Sequence, residues 1–144
     1  MPNTLRFRTV LLRSARLMSD LINEVLQPFQ LNYSLWQVVF FINEHDGITS
    51  IDIAKKLNVS KPSIAKRVQS LMALNIIEHI DSVDKREKKL RLTEVGLDVF
   101  EKCLKAIDQA EQHLLAQFND KDLETSTQAL TQLISMLETK QAGD

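Results

Sequence analysis

Between Thr49 and Thr93 two short helical patterns follow each other across a two-residue break and run on into a hairpin loaded with lysine and arginine. Few folds accommodate that succession. Thr49 and Asp52 are spaced as a reciprocal helix cap, and Ile53, Ala54 and Leu57 supply one apolar face. Asn58-Val59 reads as the turn. Ser60 then caps a second helix with Pro62 in its first turn, where the missing amide costs little. Ile64, Val68 and Leu71 recur at i, i+4 and i+7, which leaves Lys61, Ser63, Lys66, Arg67 and Ser70 on outward or flanking positions. Asn75 stands where a left-handed helix end is expected, and Asn is the best substitute for Gly there.

The hairpin is predicted as two strands, 76–81 and 88–92, around a Ser82–Glu87 turn. Leu90 and Leu92 alternate with Lys89 and Arg91, apolar inward and basic outward. Ile48 is a further short strand candidate that would pair with this hairpin. Long helices flank the whole. Leu5 to Leu26 carries Phe7, Leu11, Met18, Leu21 and Val25 at helical spacing, widened by Val10, Leu17 and Ile22, and Pro28 ends it. Ser34 with Gln37 is read as the cap of a second helix, apolar nearly all round from Leu35 to Ile42 and therefore buried. Thr93 caps a fifth helix with Val99, Phe100, Cys103, Ile107, Ala110 and Leu114 on one face. Asp120 caps a last one bearing Leu123, Leu130, Leu133, Ile134 and Leu137. With only three glycines and three prolines in 144 residues, long helices are the natural filling. The expected fold class is mainly α with a small β-wing. Residues 1–32 and 97–144 would form a helical dimerisation region, and residues 33–96 a winged helix-turn-helix, in a single compact domain.

Charge sharpens the reading. The net charge is -1, yet residues 49–93 hold ten basic and five acidic groups, whereas residues 94–144 hold four basic and ten acidic. A polyanion is drawn to the middle of the chain and repelled by its end. A lysine cluster can merely solvate a surface, but this one sits on the element that would dock. Reading DNA asks for a helix whose N-terminal part is small and polar enough to enter the major groove. Ser60, Lys61, Pro62 and Ser63 meet that demand, and Lys66 and Arg67 can reach a base edge or a phosphate one turn on. Lys85, Arg86 and Lys88 suit the adjacent minor groove or backbone.

Leu31 to Val39, Asp52-Ile53-Ala54, Leu57-Asn58-Val59-Ser60, Asp84-Lys85-Arg86 and Leu92-Thr93-Glu94-Val95-Gly96 together resemble the MarR family of bacterial transcription regulators. The resemblance implies that Asp84 braces the wing while Arg86 enters the minor groove. It also implies a homodimer built from the terminal helices, binding a pseudo-palindromic operator in double-stranded DNA, and a small aromatic or lipophilic effector. The chain departs from the family pattern at Ala65, where Thr is common, at Lys66 for Arg, at Gln69 for Asp and at Asn75 for Gly.

Other chemistry finds little footing. His45, His79 and His113 show no metal spacing with one another or with Cys103, and no glycine-rich phosphate loop exists. No catalytic residue, metal or cofactor is therefore expected. Cys103 lies on an apolar stripe and reads as a small buried hydrophobe. A single cysteine cannot form an intramolecular disulfide, no signal peptide is apparent, and the longest apolar run, Val38 to Ile42, is far too short to span a bilayer, so a cytoplasmic protein without membrane contact is expected. Candidate effector contacts are Arg16, Tyr33, Trp36 and Phe40, at the seam of the first, second and fifth helices. Trp36 and Phe40 also read as core aromatics, and Arg16 as one half of an ion pair with a partner helix. Two function classes remain open: a dimeric, effector-responsive DNA-binding regulator acting as a repressor, or a winged-helix interaction or sensor module that does not bind DNA.

Overall fold

In the computed structural model, which describes residues 3–80 and 88–143, six helices and one two-stranded ribbon follow in order. Helix α1 spans Asn3–Leu26, and a 3-10 turn over Gln27–Phe29 closes on Gln30 in the left-handed region, φ 62°. Helix α2 (Tyr33–Glu44) follows, then α3 (Ser50–Leu57) and α4 (Lys61–Ala73). Strands β1 (Ile77–His79) and β2 (Leu90–Leu92) pair antiparallel, with Ile77 opposite Leu92 and His79 opposite Leu90. Helices α5 (Glu94–Leu115) and α6 (Asp120–Ala142) complete the chain.

Local chemistry accounts for most of the boundaries. Thr49 and Asp52 form the expected reciprocal cap, the Thr49 hydroxyl accepting from the Asp52 N–H at 3.2 Å and the Asp52 carboxylate from the Thr49 N–H at 3.4 Å. Ser60 accepts from the Ser63 N–H at 3.3 Å. Asn58 and Asn75 both take left-handed backbone, φ 53° and 59°, so each helix ends without a glycine. Two caps differ from expectation. Helix α2 is capped by Asn32, whose side-chain oxygen accepts from Leu35 N–H at 2.9 Å, so Ser34 lies inside the first turn. Helix α6 is capped by Asn119, accepting from Lys121 N–H at 2.8 Å, and Asp120 becomes its first residue, where its charge suits the helix dipole.

Residues 1–108 and 109–144 are two compact units, the division falling within α5. The first unit holds the core. Leu26, Val38, Val39, Ile53, Ile64, Leu71, Leu90 and Cys103 are fully enclosed there. Ile48 joins them and ties the segment after α2 to the wing: Leu90 donates to the Ile48 carbonyl at 2.9 Å, and Thr49 bridges Lys89. Gly47 makes the turn at φ 75°, a conformation that favours glycine.

A second tie joins the end of α4 to the start of α5. The Thr93 hydroxyl donates to the Asn75 carbonyl at 2.6 Å and accepts from the Gly96 N–H at 2.9 Å, and the Thr93 N–H donates to the Ile76 carbonyl at 3.0 Å. Thr93 thus caps α5, as its position suggests, and binds it to the root of β1 in the same stroke.

Several large apolar side chains stay outside the core. Phe7, Val10, Leu12 and Leu17 are exposed on α1. In the second unit Leu114, Phe118, Ile134, Met136 and Leu137 are exposed, and Leu123, Leu130 and Leu133 are only half-buried. The stripe read as one buried face of α5 therefore holds at Phe100 and Cys103 and gives out by Leu114.

Candidate nucleic-acid interface

Helix α4 presents the polar face that its sequence suggested. With Ile64, Val68 and Leu71 buried, Ser60, Lys61, Pro62 and Lys66 are exposed and Ser63 is half-buried. The Lys66 carbonyl accepts from the Ser70 hydroxyl at 3.2 Å, a bond that leaves the ammonium on the open face. Arg67 behaves differently. Its guanidinium turns back onto α2, where Nη1 donates to the Ser34 carbonyl at 3.3 Å and to Gln37 Oε1 at 3.5 Å. The residue grouped with Lys66 in the sequence is thus separated from it in the fold.

The wing root carries an ion pair. Glu78 and Arg91 are opposite each other in the ribbon, and Arg91 Nε donates to Glu78 Oε1 at 2.9 Å. Lys88 is exposed just before the Lys89 bridge. The Ser82–Glu87 turn, with Asp84, Lys85 and Arg86, lies outside the described residues.

The residues singled out for an effector do not share one environment. Trp36 is buried and stacks on Phe100 of α5, ring centroids 5.2 Å apart at 10°. Phe40, one turn on, is tilted against it at 6.5 Å and remains 38% exposed. Tyr33 is half-buried at the start of α2, where its N–H donates to Asn23 Oδ1 of α1 at 2.8 Å. Arg16 is exposed on α1 and pairs with Asp20 one turn along the same helix, at 3.9 Å. Trp36 and Phe40 therefore have ring contact with each other, and Arg16 has its ionic partner within its own helix.

Nothing local in the sequence announces an open cleft of about 450 Å³ lined by His45, Asp46, Gly47, Ile48, Asp52, Lys55 and Lys56. Two lysines and two aspartates line it, so its charge is mixed. The aromatic series reaches this cleft, because Phe41 stacks on His45 at 6.1 Å. These residues are neighbours in sequence, and the turn at Gly47 with the start of α3 folds them around the cleft. Among the described residues no group of three or more His, Cys, Asp or Glu could hold a metal ion, and no helix is long and apolar enough to cross a membrane. Cys103 is enclosed, and burial pushes its thiol up to about 11.

Two capped helices across a tight turn, the second offering a polar N-terminal half, then a braced β-ribbon: the fold and site define a winged helix-turn-helix protein. A family model described as the MarR family matches residues 29–87. The uncharacterised HTH-type transcriptional regulator YwoH of Bacillus subtilis is 32% identical over 112 residues, covering 78% of this chain and 82% of YwoH. The chain belongs to the MarR family of DNA-binding transcription regulators. Among solved structures, Staphylococcus aureus MarR in complex with salicylate and kanamycin superposes with a TM-score of 0.87 at 22% identity, over 94% of this chain and 93% of that one. The S. aureus MepR–DNA complex gives 0.75 at 23% identity, over 94% and 96%. At such identities the likeness speaks for the fold.

Proposed function

We propose that the chain works in the cytoplasm as a homodimeric repressor that grips a pseudo-palindromic operator and releases it on binding a small aromatic effector. The observation that carries this reading is the split of α4 into a locked apolar face and an exposed polar one. Ile64, Val68 and Leu71 hold the helix down while Ser60, Lys61, Pro62 and Lys66 stand clear. Such a helix can enter a major groove without disturbing its own packing. Lys88 and, from the sequence, Lys85 and Arg86 would follow the adjacent backbone and minor groove, with Asp84 bracing the wing. The exposed apolar residues of α1 and α6 support a partner subunit, because monomers seldom leave so many large apolar groups in water. In a dimer the two recognition helices should lie about 34 Å apart or a close multiple, to meet successive grooves on one face of the duplex.

The effector part draws on the salicylate-bound S. aureus relative and on the aromatic seam of Trp36, Phe40 and Phe100. A ligand shifts the equilibrium only if it prefers one dimer geometry. Tyr33 lines the start of the same helix, and Arg16 could supply the positive partner for a carboxylate. The deciding experiment selects DNA fragments with the purified protein, then repeats the binding with salicylate present. Enrichment of one inverted repeat, lost on adding salicylate, is the expected result. Failure to enrich any fragment would overturn the DNA reading, and salicylate-indifferent binding would overturn the effector alone.

A further inference from the structure

We propose that Arg67 is a positioning residue that fixes how α4 is presented to DNA, and that it reads no base itself. This rests on the reading of α4 as the recognition helix. Successive residues of an α-helix turn by about 100°, which sets Arg67 beside the buried stripe of Ile64, Val68 and Leu71 and Lys66 on the far side. The structure agrees: Lys66 is exposed and Arg67 half-buried. The Arg67 guanidinium then reaches α2, with Nη1 at 3.3 Å from the Ser34 carbonyl and 3.5 Å from Gln37 Oε1. Both contacts commit Nη1 to α2, on the side of α4 that packs against the core.

The apolar contacts between α4 and α2 resist separation, but they are non-directional and tolerate small rotations. A planar guanidinium held between a backbone carbonyl and a side-chain amide specifies direction as well as distance. The two acceptors flank Trp36, which is stacked on Phe100. Arg67 therefore refers the attitude of the recognition helix to the element that also carries the aromatic seam. Trp36 is the one tryptophan in the chain, so its emission reports on α2 without a label.

The test uses the full chain and an operator selected by the wild-type protein, with a panel of its single-base variants and a salt titration. Arg67→Met keeps the aliphatic stem and removes the guanidinium; Gln37→Ala removes one acceptor. Arg67→Met should weaken binding by about 3- to 10-fold, the net effect of losing one ordinary hydrogen bond. That loss should be the same on every member of the panel, with the salt slope unchanged. Gln37→Ala should give a smaller loss in the same pattern, the double variant should be no weaker than Arg67→Met alone, and Arg67→Lys should recover part of the affinity. Without DNA, Trp36 emission should shift in both single variants. Loss of discrimination at one base position would make Arg67 a reader and overturn the proposal. A salt slope shallower by about one unit would make it a phosphate contact and overturn the proposal equally. A wild-type protein that selected no DNA would instead remove the recognition-helix reading, and the proposal with it.

Discussion

Gly96 packs so tightly under the root of β1 that a Cβ on it would lie 2.9 Å from the Ile76 carbonyl carbon and closer still to the oxygen. Both partners are backbone, so no side chain can swing away. We expect Gly96→Ala to destabilise the fold by about 1–3 kcal/mol, in the range of overpacked buried sites. Urea titration followed by far-UV circular dichroism measures this directly. A variant as stable as wild type would mean that α5 can lift off Ile76 freely.

Thr93→Val tests the same junction by chemistry instead of bulk. The substitution is close in shape but strands the Gly96 N–H, which the hydroxyl now accepts at 2.9 Å, and withdraws a donor from Asn75. A loss of about 1–3 kcal/mol is expected from leaving a buried N–H unpaired. Thr93→Ser should retain most of the stability, since it keeps the oxygen.

Cys103 should be a quiet thiol. Burial raises its pKa from 9.0 to about 11, so the folded protein holds it as the unreactive neutral form at physiological pH. Alkylation by iodoacetamide should be slow in buffer and rapid in denaturant. The linkage has a definite sign: between pH 9 and 11 the folded state binds more protons at this site than the unfolded state, so stability falls as pH rises through that window. Cys103→Ala should flatten that alkaline decline, measured as denaturant midpoints at stepped pH.

Lys66 and Lys88 should fail in different ways. Lys66→Ala is expected to change which bases are preferred, by about 1–3 kcal/mol at one position if it makes a base-edge contact. Lys88→Ala should weaken all sequences alike and reduce the salt slope by about one unit, as a phosphate contact does. Equal loss of base preference in both would contradict a division between helix and wing.

Arg16→Ala should leave thermal stability within about 0.5 kcal/mol of wild type, because both members of its 3.9 Å pair with Asp20 are mostly exposed. If Arg16 meets an effector carboxylate, the same variant should need more salicylate for release while its ligand-free DNA affinity stays unchanged. A collapse of that basal affinity would place Arg16 in the architecture and not in the pocket.

Much of the winged region was legible because its signals are local. The Thr49–Asp52 cap, the turn at Asn58, the αL residue Asn75 and the Thr93 cap each depend on neighbours within a few positions. The second strand, read from the alternation of Leu90 and Leu92 with Lys89 and Arg91, begins two residues later than expected, at Leu90. The two misplaced caps involve competition between adjacent good capping residues, Asn32 against Ser34 and Asn119 against Asp120, which composition does not resolve. Arg67 needed tertiary knowledge, because its acceptors lie about thirty residues upstream on another helix. Its place beside the apolar stripe was the available hint. Phe40 shows the opposite limit: an apolar helix does not bury every aromatic it carries, and this one remains partly in solvent.

The bond from Leu90 to the Ile48 carbonyl, with the Thr49–Lys89 bridge beside it, has a consequence for how the protein behaves in a crowded solution. A two-stranded ribbon has two edges of unpaired amides and carbonyls, and such edges recruit strands from other chains. Here the edge of β2 facing away from β1 is already occupied at its base by the segment that follows α2. The strands are three residues long, and the ribbon bears Glu78 and Arg91 among its exposed side chains. A passing chain finds, at these two strands, too short and too charged a template to extend into an aggregate.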